Sequence, residues 1–168
     1  RTRPVRRNSE LCKCCVEMIP RGVISFISLG CPKNLVDSEV MLGRLAEEGF
    51  IITPDYSESE IVIINTCGFL EAAKTEAMQW INFAVEMKRQ GTVKGVVVAG
   101  CLPQRVGRDG CELFEGVDAV VGVTNRELLP EICKNIITDR CNRKRDNGAV
   151  TIHVDERFPK HESDGGRF

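Results

Sequence analysis

The sequence lacks the features that mark several common classes of protein. It has two histidines, His153 and His161, both near the carboxyl-terminal end, and aromatic residues make up only 5% of the chain. No apolar run approaches the ~18 residues that a membrane-spanning helix needs, so we expect no membrane partner. No apolar segment with a cleavage site follows the basic start, so we expect no secretory signal and a cytoplasmic location.

Motifs of common cofactors and nucleophiles are also missing. No GxGxxG opens a helix after the first strand candidate, and there is no GxxxxGK[ST], which argues against dinucleotide and P-loop sites. No CxxC lies near a strand end, so a thioredoxin-like pair is unsupported. With both histidines near one end, no Ser/His/Asp set can be assembled.

Charge is distributed unevenly about a net value of −1. Residues 1–21 carry six positive and two negative groups, whereas residues 22–138 carry ten positive and sixteen negative. Nucleic-acid binding draws most of its affinity from Lys and Arg contacts with phosphates. An acidic segment suits a basic protein partner better, so we expect no nucleic-acid binding by this domain.

Three segments follow from these patterns. Residues 1–21 are Arg-rich without an apolar period and predict a basic extension that is disordered or extended. Residues 22–138 predict the folded domain. Residues 139–168 contain two glycine turn signals around a short extended run, Val150 to Val154, and predict a linker.

The central segment alternates β-prone runs with helical periods. The run Leu102 to Phe114 predicts a poor helix at best, and Thr124 with Glu127 matches a capping box that opens the last helix. Strands alternating with helices predict a doubly wound α/β domain with a mainly parallel sheet of about five strands, flavodoxin-like or Rossmann-like. The strand candidates are Val23 to Ser28, Phe50 to Thr53, Ile61 to Asn65, Val96 to Ala99 and Ala119 to Val123.

Three of the nine cysteines follow strand candidates after one or two intervening residues. They are Cys31, Cys67 and Cys101, spaced by 36 and 34 residues, and each is flanked by a glycine. Because parallel strands end at one edge of a sheet, all three thiols should lie at the carboxyl edge, where open α/β sheets bind ligands.

Several interpretations of the three thiols remain open on the residues alone. Iron–sulfur clusters are held by Cys thiolates, and three thiolates on a four-iron cluster leave one iron for a non-protein ligand. A closed zinc site would need a fourth Cys or His, and the histidines lie in the predicted linker, which disfavours zinc. Alternatively, the cysteines are buried thiols that behave as small hydrophobes.

The other cysteines carry weaker signals. Cys12, Cys14 and Cys15 form a CKCC cluster that could bind metal, but it lies in the predicted extension, and we favour no role for it. The remaining three show no shared register and are predicted to be incidental: Cys111, Cys133 and Cys141.

Polar residues after Cys31 allow two interpretations. In the first, Asn34 caps the first helix and Lys33, Asp37 and Glu39 form a solvated first turn. In the second, the same residues line the cysteine edge.

The cysteine motifs resemble those of a known family. SLGCPKNLVDSE, at residues 28–39, closely resembles the opening motif of the methylthiotransferases, a radical S-adenosylmethionine family. INTCGF, at residues 64–69, and AGCLPQ, at residues 99–104, resemble that family's second and third cysteine motifs. The PKN version is similar to the branch that modifies an aspartate of a small-subunit ribosomal protein, whereas the tRNA-modifying branch carries a YGCQMN-like string.

The resemblance implies specific ligands and partners. The family's amino-terminal domain, here residues 22–138, holds an auxiliary [4Fe-4S] cluster, which assigns Cys31, Cys67 and Cys101 as cofactor and metal ligands. The implied partner of the full-length enzyme is the ribosomal protein. The cluster or substrate surroundings would include Lys33, Asn34, Asp37, Asn65 and Thr66.

The chain departs from the family in what is absent. It contains no CxxxCxxC, the ligands of the cluster that cleaves S-adenosylmethionine, and no carboxyl-terminal barrel. S-adenosylmethionine and a second [4Fe-4S] cluster are therefore expected only in the full-length enzyme, with residues 139–168 leading toward the missing catalytic domain. We expect no catalytic residues here and an inactive isolated chain. The alternatives are a tRNA adenosine methylthiotransferase or a free-standing iron–sulfur or sulfur-carrier module.

Overall fold

The predicted alternation of strands and helices is confirmed in a computed structural model, which describes residues 20–69, 71–142 and 150–154. The strands are Val23–Ser28 (β1), Ile51–Thr53 (β2), Ile61–Thr66 (β3), Gly95–Gly100 (β4), Ala119–Gly122 (β5) and Thr151–His153 (β6). The α-helices are Pro32–Glu47 (α1), Glu71–Arg89 (α2), Cys101–Val106 (α3) and Leu129–Asn142 (α4). Short 3-10 segments cover Tyr56–Glu58, Arg108–Phe114 and Val123–Leu128.

The six strands form one parallel sheet in the order β2-β1-β3-β4-β5-β6. The register places Ile64 beside Ile27 on one side and Val98 on the other. All residues of the central strands β3 and β4 are buried. A parallel sheet covered on both faces produces such continuous apolar strands rather than alternating ones.

Helices cover both faces of the sheet, and each face has its own apolar cluster. On one face, α2 packs through Ala77 and Ile81 against Val62 and Val96. On the other face, α1 and α4 pack against the sheet through a cluster that includes Met41, Leu45, Leu129, Ile132 and Cys133. The predicted doubly wound architecture is therefore confirmed.

The strand order locates the crevice of the sheet. The chain moves from β1 outward to β2 and then returns to β3 on the other side of β1. Since α1 and α2 lie on opposite faces, the winding direction reverses between β1 and β3. Ligands of open α/β sheets bind at such a switch point, outside the carboxyl ends of the strands.

The sheet is larger than the predicted five strands. The sixth strand, Thr151–His153, pairs in parallel with β5 and lies within the segment predicted to be a linker. The run Val150 to Val154 predicts an extended segment, but a five-residue run between turn signals does not show that the segment pairs with a sheet.

Two local predictions about helices were also wrong. The Thr124–Glu127 box does not open α4, because Val123–Leu128 forms a 3-10 segment and α4 starts at the fully buried Leu129. The helical spacing of Leu35, Leu42, Leu45 and Ala46 also predicts Leu35 in the apolar stripe of α1, but Leu35 is 55% exposed and the helix packs through Met41 and Leu45. In both cases tertiary packing, and not the local sequence pattern, determines the structure.

Several predictions fall on residues outside the described ranges. They include most of the basic extension predicted at residues 1–21, with its CKCC cluster, and most of the linker predicted at residues 139–168. Among the described helices, none is both long enough and apolar enough to cross a membrane.

Candidate functional site

The structure brings the three predicted cysteines to one edge of the sheet. Cys31 follows β1 after a turn of two residues, Cys67 comes directly after β3, and Cys101 begins α3 directly after β4. These strands are adjacent in the sheet, in the order β1-β3-β4. Cys31 and Cys67 therefore lie on either side of the switch point, and Cys101 lies one strand further along.

Glycines bring the three cysteine segments into close contact. A Cβ added at Gly30, which has φ +103°, would lie 2.3 Å from Cys67 Cβ and 3.1 Å from its Sγ. One added at Gly68 would lie 2.9 Å from the backbone oxygen of Cys101. The turn before the first cysteine thus packs on the second, and the residue after the second packs on the third.

The three thiols differ in exposure. Cys67 is fully buried, whereas Cys31 and Cys101 are half-buried, and none of them forms a disulfide. Burial raises the pKa of the Cys101 thiol, and the neighbouring Cys67 and Cys31 thiols add to that effect.

The donor set at this edge consists of three thiols. In the described part of the chain, no three side chains of His, Cys, Asp or Glu converge to hold one metal ion. A four-iron cluster takes each thiolate on a different iron, so its ligands stand further apart than those of one ion. Three thiols without a histidine, two of them reaching solvent, are compatible with that chemistry.

Two buried asparagines join the turn after β1 to the end of β3. Asn34 Nδ2 donates to the backbone oxygens of Leu29 and Asn65 at 2.5 and 3.2 Å. In return, Asn65 Nδ2 donates to Asn34 O at 3.2 Å and to Ser38 Oγ at 2.7 Å. We call this pair the amide clasp. It fixes the segment of the first cysteine against that of the second.

The predicted capping role of Asn34 is therefore wrong. α1 begins at Pro32 with Cys31 in the capping position, where the Cys31 side chain makes no capping hydrogen bond within the described residues. Asn34 lies inside the first turn and points into the protein, because the carbonyl oxygens at the ends of β1 and β3 need donors there.

The amide clasp leaves two buried oxygens without partners. In the described part of the chain, no donor reaches Asn34 Oδ1 or Asn65 Oδ1. A Cβ at Gly100, which has φ +104°, would lie 2.3 Å from Asn65 Oδ1, so the backbone at the end of β4 closes directly over this amide. Next to it, Thr66 Oγ1 donates to Ala99 O at 2.8 Å.

A chain of ion pairs lies at the same edge. Lys33 Nζ is 3.1 Å from Asp37 Oδ2, and Arg126, from the segment after β5, donates to Asp37 Oδ1. The hydrogen bond and the charge of Asp37 raise the pKa of Lys33, with a further contribution from the Cys101 thiolate. Lys33 is thus held as a cation beside the cysteines.

Of the predicted surroundings, Asn34, Asp37, Asn65 and Thr66 are buried, whereas Lys33 is exposed. Asp37 lines the edge rather than a solvated turn, whereas Glu39 is exposed. No pattern in the sequence indicates a role for Arg126, Ser38 or Arg105, whose contacts depend on tertiary structure. Phe69, 72% exposed beside the second cysteine motif, was also missed.

Comparison with known proteins identifies the family. Residues 23–122 match the family described as Uncharacterized protein family UPF0004. The chain belongs to this family. All three strand-end cysteines lie within the matched residues, whereas Cys133 lies outside them.

Curated relatives confirm the resemblance to methylthiotransferases. Ribosomal protein uS12 methylthiotransferase RimO of Lachnoclostridium phytofermentans is 45% identical over 114 residues, which are 68% of this chain and 26% of the relative. The protein of the same name from Trichlorobacter lovleyi is 44% identical over 109 residues, covering 65% and 24%. That of Desulforamulus reducens is 37% identical over 137 residues, covering 82% and 31%. The chain therefore spans about a quarter to a third of the length of these relatives.

Proposed function

We propose that this chain forms the cluster-binding domain of an enzyme that methylthiolates an aspartate of ribosomal protein uS12. In this proposal Cys31, Cys67 and Cys101 hold an auxiliary [4Fe-4S] cluster. The observation that carries the proposal is the convergence of these cysteines at the carboxyl ends of three adjacent parallel strands, on backbone segments that contact one another. The names of the relatives favour the ribosomal-protein branch over the tRNA branch.

When bound, the cluster would supply one iron without a protein ligand, to which a sulfur species can attach. The residues of this chain hold the ligands in place. The amide clasp fixes the Cys31 segment against the Cys67 segment, and Gly100 lets the backbone before Cys101 approach Asn65. Such outer contacts orient ligands and tune the centre that they hold.

The transfer reaction itself requires more than this domain. The relatives are three to four times longer than the matched region. We propose that the remaining length supplies the S-adenosylmethionine site, its second [4Fe-4S] cluster and the contacts with uS12, and that this chain alone is inactive. A thiolate-rich centre of this kind suits the reducing cytoplasm.

Two matched triple variants test the proposal. The wild type, Cys31/Cys67/Cys101→Ala and Cys12/Cys14/Cys15→Ala are reconstituted anaerobically with iron and sulfide, and iron and sulfide are quantified alongside absorption spectra. Each variant removes three thiols, so a general loss of cysteine affects both equally.

We expect about four irons per chain in the wild type and in the Cys12/Cys14/Cys15 variant, as a four-iron cluster requires. We expect none in the Cys31/Cys67/Cys101 variant. A cluster that survives in the Cys31/Cys67/Cys101 variant, or the absence of a cluster from the wild type, would refute the assignment.

A further inference from the structure

We propose that a group of basic side chains at the cysteine edge raises the reduction potential of the centre bound there, with Lys33 as its principal member. The inference rests on the proposed function, because it concerns the cluster held by the three cysteines. It assigns Lys33, Asp37, Arg126 and Arg105 an electrostatic role in addition to their structural contacts.

Geometry places Lys33 at this edge and holds it there. It lies two residues after Cys31, and its ammonium is anchored at 3.1 Å to Asp37, one helical turn further along α1. Asp37 is itself only 7% exposed and is held on its other oxygen by Arg126. The carboxylate therefore has a fixed position, and the lysine is tethered to it.

A second strand end contributes another cation. Arg105, on α3, donates through Nη1 to the backbone oxygen of Gly68 at 3.0 Å, immediately after Cys67. Lys33 and Arg105 thus lie next to cysteine segments, and Arg126 is linked to Lys33 through Asp37. Other acidic groups near this end are paired elsewhere: Glu71 with Lys74 at 2.5 Å and Glu127 with Arg44 at 3.0 Å.

The local charge opposes the charge of the domain. Residues 22–138 carry sixteen acidic and ten basic groups, yet the cysteine edge has an excess of basic ones. The average composition would not produce this arrangement. It is what a centre ligated by three thiolates requires, because each thiolate brings a negative charge to the edge.

The charges should act on reduction in a predictable direction. Reduction by one external electron adds one negative charge at the edge, with no atom transferred. Nearby cations favour the more negative state and nearby anions disfavour it, so net charge is one of the factors that set cluster potentials. Removing Lys33 should lower the midpoint potential, and neutralising Asp37 should raise it.

Electron-paramagnetic-resonance-monitored redox titration of the reconstituted full chain tests the inference. The variants are Lys33→Met, Lys33→Arg, Arg126→Gln and Asp37→Asn, with iron content and thermal midpoint measured for each. Lys94→Met is the matched control, since Lys94 lies just before β4 at the opposite end of the same sheet.

We expect a negative shift for Lys33→Met and Arg126→Gln, a positive shift for Asp37→Asn, and values near the wild type for Lys33→Arg and Lys94→Met. The Lys33 shift should shrink at high salt, because its side chain is 70% exposed and exposed charges are screened. A merely structural role would not give shifts of opposite sign.

The inference would be overturned if Lys33→Met and Asp37→Asn shifted the midpoint potential in the same direction, or if Lys94→Met shifted it as much as Lys33→Met. An unchanged iron content in these variants would leave the proposed function standing. A wild type that binds no iron would refute the proposed function, and the inference with it. If Lys33→Met fails to fold, Arg126→Gln and Asp37→Asn still provide charge changes of both signs.

Discussion

The two ends of the same sheet handle polar groups in different ways. At the amino end, the carboxylates of Glu60 and Asp118 precede β3 and β5 and are fully engaged. Glu60 accepts the backbone N–H of Val23 at 3.1 Å and pairs with Lys94. Asp118 accepts the N–H of Val96 at 2.8 Å and pairs with Lys88 at 2.7 Å.

At the carboxyl end, the hydrogen bonding of the polar groups is incomplete. Within the described residues, two amide oxygens at this end lack a donor. The turn before Cys31 and the end of β4 carry glycines at positive φ that approach neighbouring strands within contact distance. Two half-buried thiols reach solvent there.

This difference distinguishes polar groups that stabilise the fold from polar groups whose presence the fold does not explain. The carboxylates at the amino end accept hydrogen bonds from backbone N–H groups at the starts of strands, and this structural role accounts fully for their presence. At the carboxyl end, burial of amides without complete hydrogen bonding costs free energy that folding alone does not explain. This contrast supports the site that we propose at the carboxyl end, and the following predictions test it.

The largest effect on stability should come from Gly100→Ala. The residue has φ +104°, and its new Cβ would lie 2.3 Å from Asn65 Oδ1 and 2.5 Å from Thr66 O. Backbone strain and overpacking together should lower the free energy of unfolding by about 3 kcal/mol, measured by urea denaturation.

Gly91→Ala is the matched control for that substitution. Gly91 also has positive φ, at +81°, but an added Cβ would meet no described atom within 4 Å. It should cost about 1 kcal/mol from strain alone. Equal losses in the two variants would show that the close approach at the carboxyl end contributes nothing.

The sequence predicted this contrast only in part. Three cysteines after three strand candidates were enough to place the thiols at one edge, because strand direction in a parallel sheet is uniform. The role of Asn34 was not predictable, since its partner Asn65 lies 31 residues away and depends on how β1 and β3 pair. Arg126 meets Asp37 across 89 residues for the same reason.

An intermediate effect is expected from Asn65→Ala, which opens the amide clasp. The substitution removes two hydrogen bonds in a fully buried site, those to Asn34 O and Ser38 Oγ, while the bonds of Ser38 Oγ with Asn34 O and Ser28 Oγ remain. We expect a loss of about 1–3 kcal/mol in the free energy of unfolding, measured by urea denaturation. Asn82→Ala, on the exposed side of α2, should change it by less than about 0.5 kcal/mol. An unchanged free energy of unfolding in Asn65→Ala would show that the amide clasp does not stabilise the fold.

The smallest effect should come from Glu60→Gln at the amino end. Glutamine keeps an oxygen for the N–H of Val23 and loses only the ion pair with Lys94, whose side chain is 47% exposed. The loss should stay below about 1 kcal/mol and should disappear in high salt, as measured by urea denaturation with and without added sodium chloride. A larger, salt-independent loss would mean that buried polar contacts at the amino end also contribute strongly to the free energy of unfolding. That result would weaken the contrast between the two ends of the sheet.

The most direct test of the central claim is thiol alkylation mapped by mass spectrometry, comparing the anaerobically reconstituted chain with the metal-free chain. Cys133 serves as the internal reference, because burial raises its pKa to about 12 and keeps it protonated and unreactive at neutral pH in both samples. Cys67 is fully buried like Cys133, so the half-buried Cys31 and Cys101 report on the site. We predict that iron loading protects Cys31 and Cys101 together and leaves Cys12, Cys14 and Cys15 reactive. Equal alkylation of Cys31 and Cys101 with and without iron, or protection of the CKCC cysteines in their place, would contradict the account.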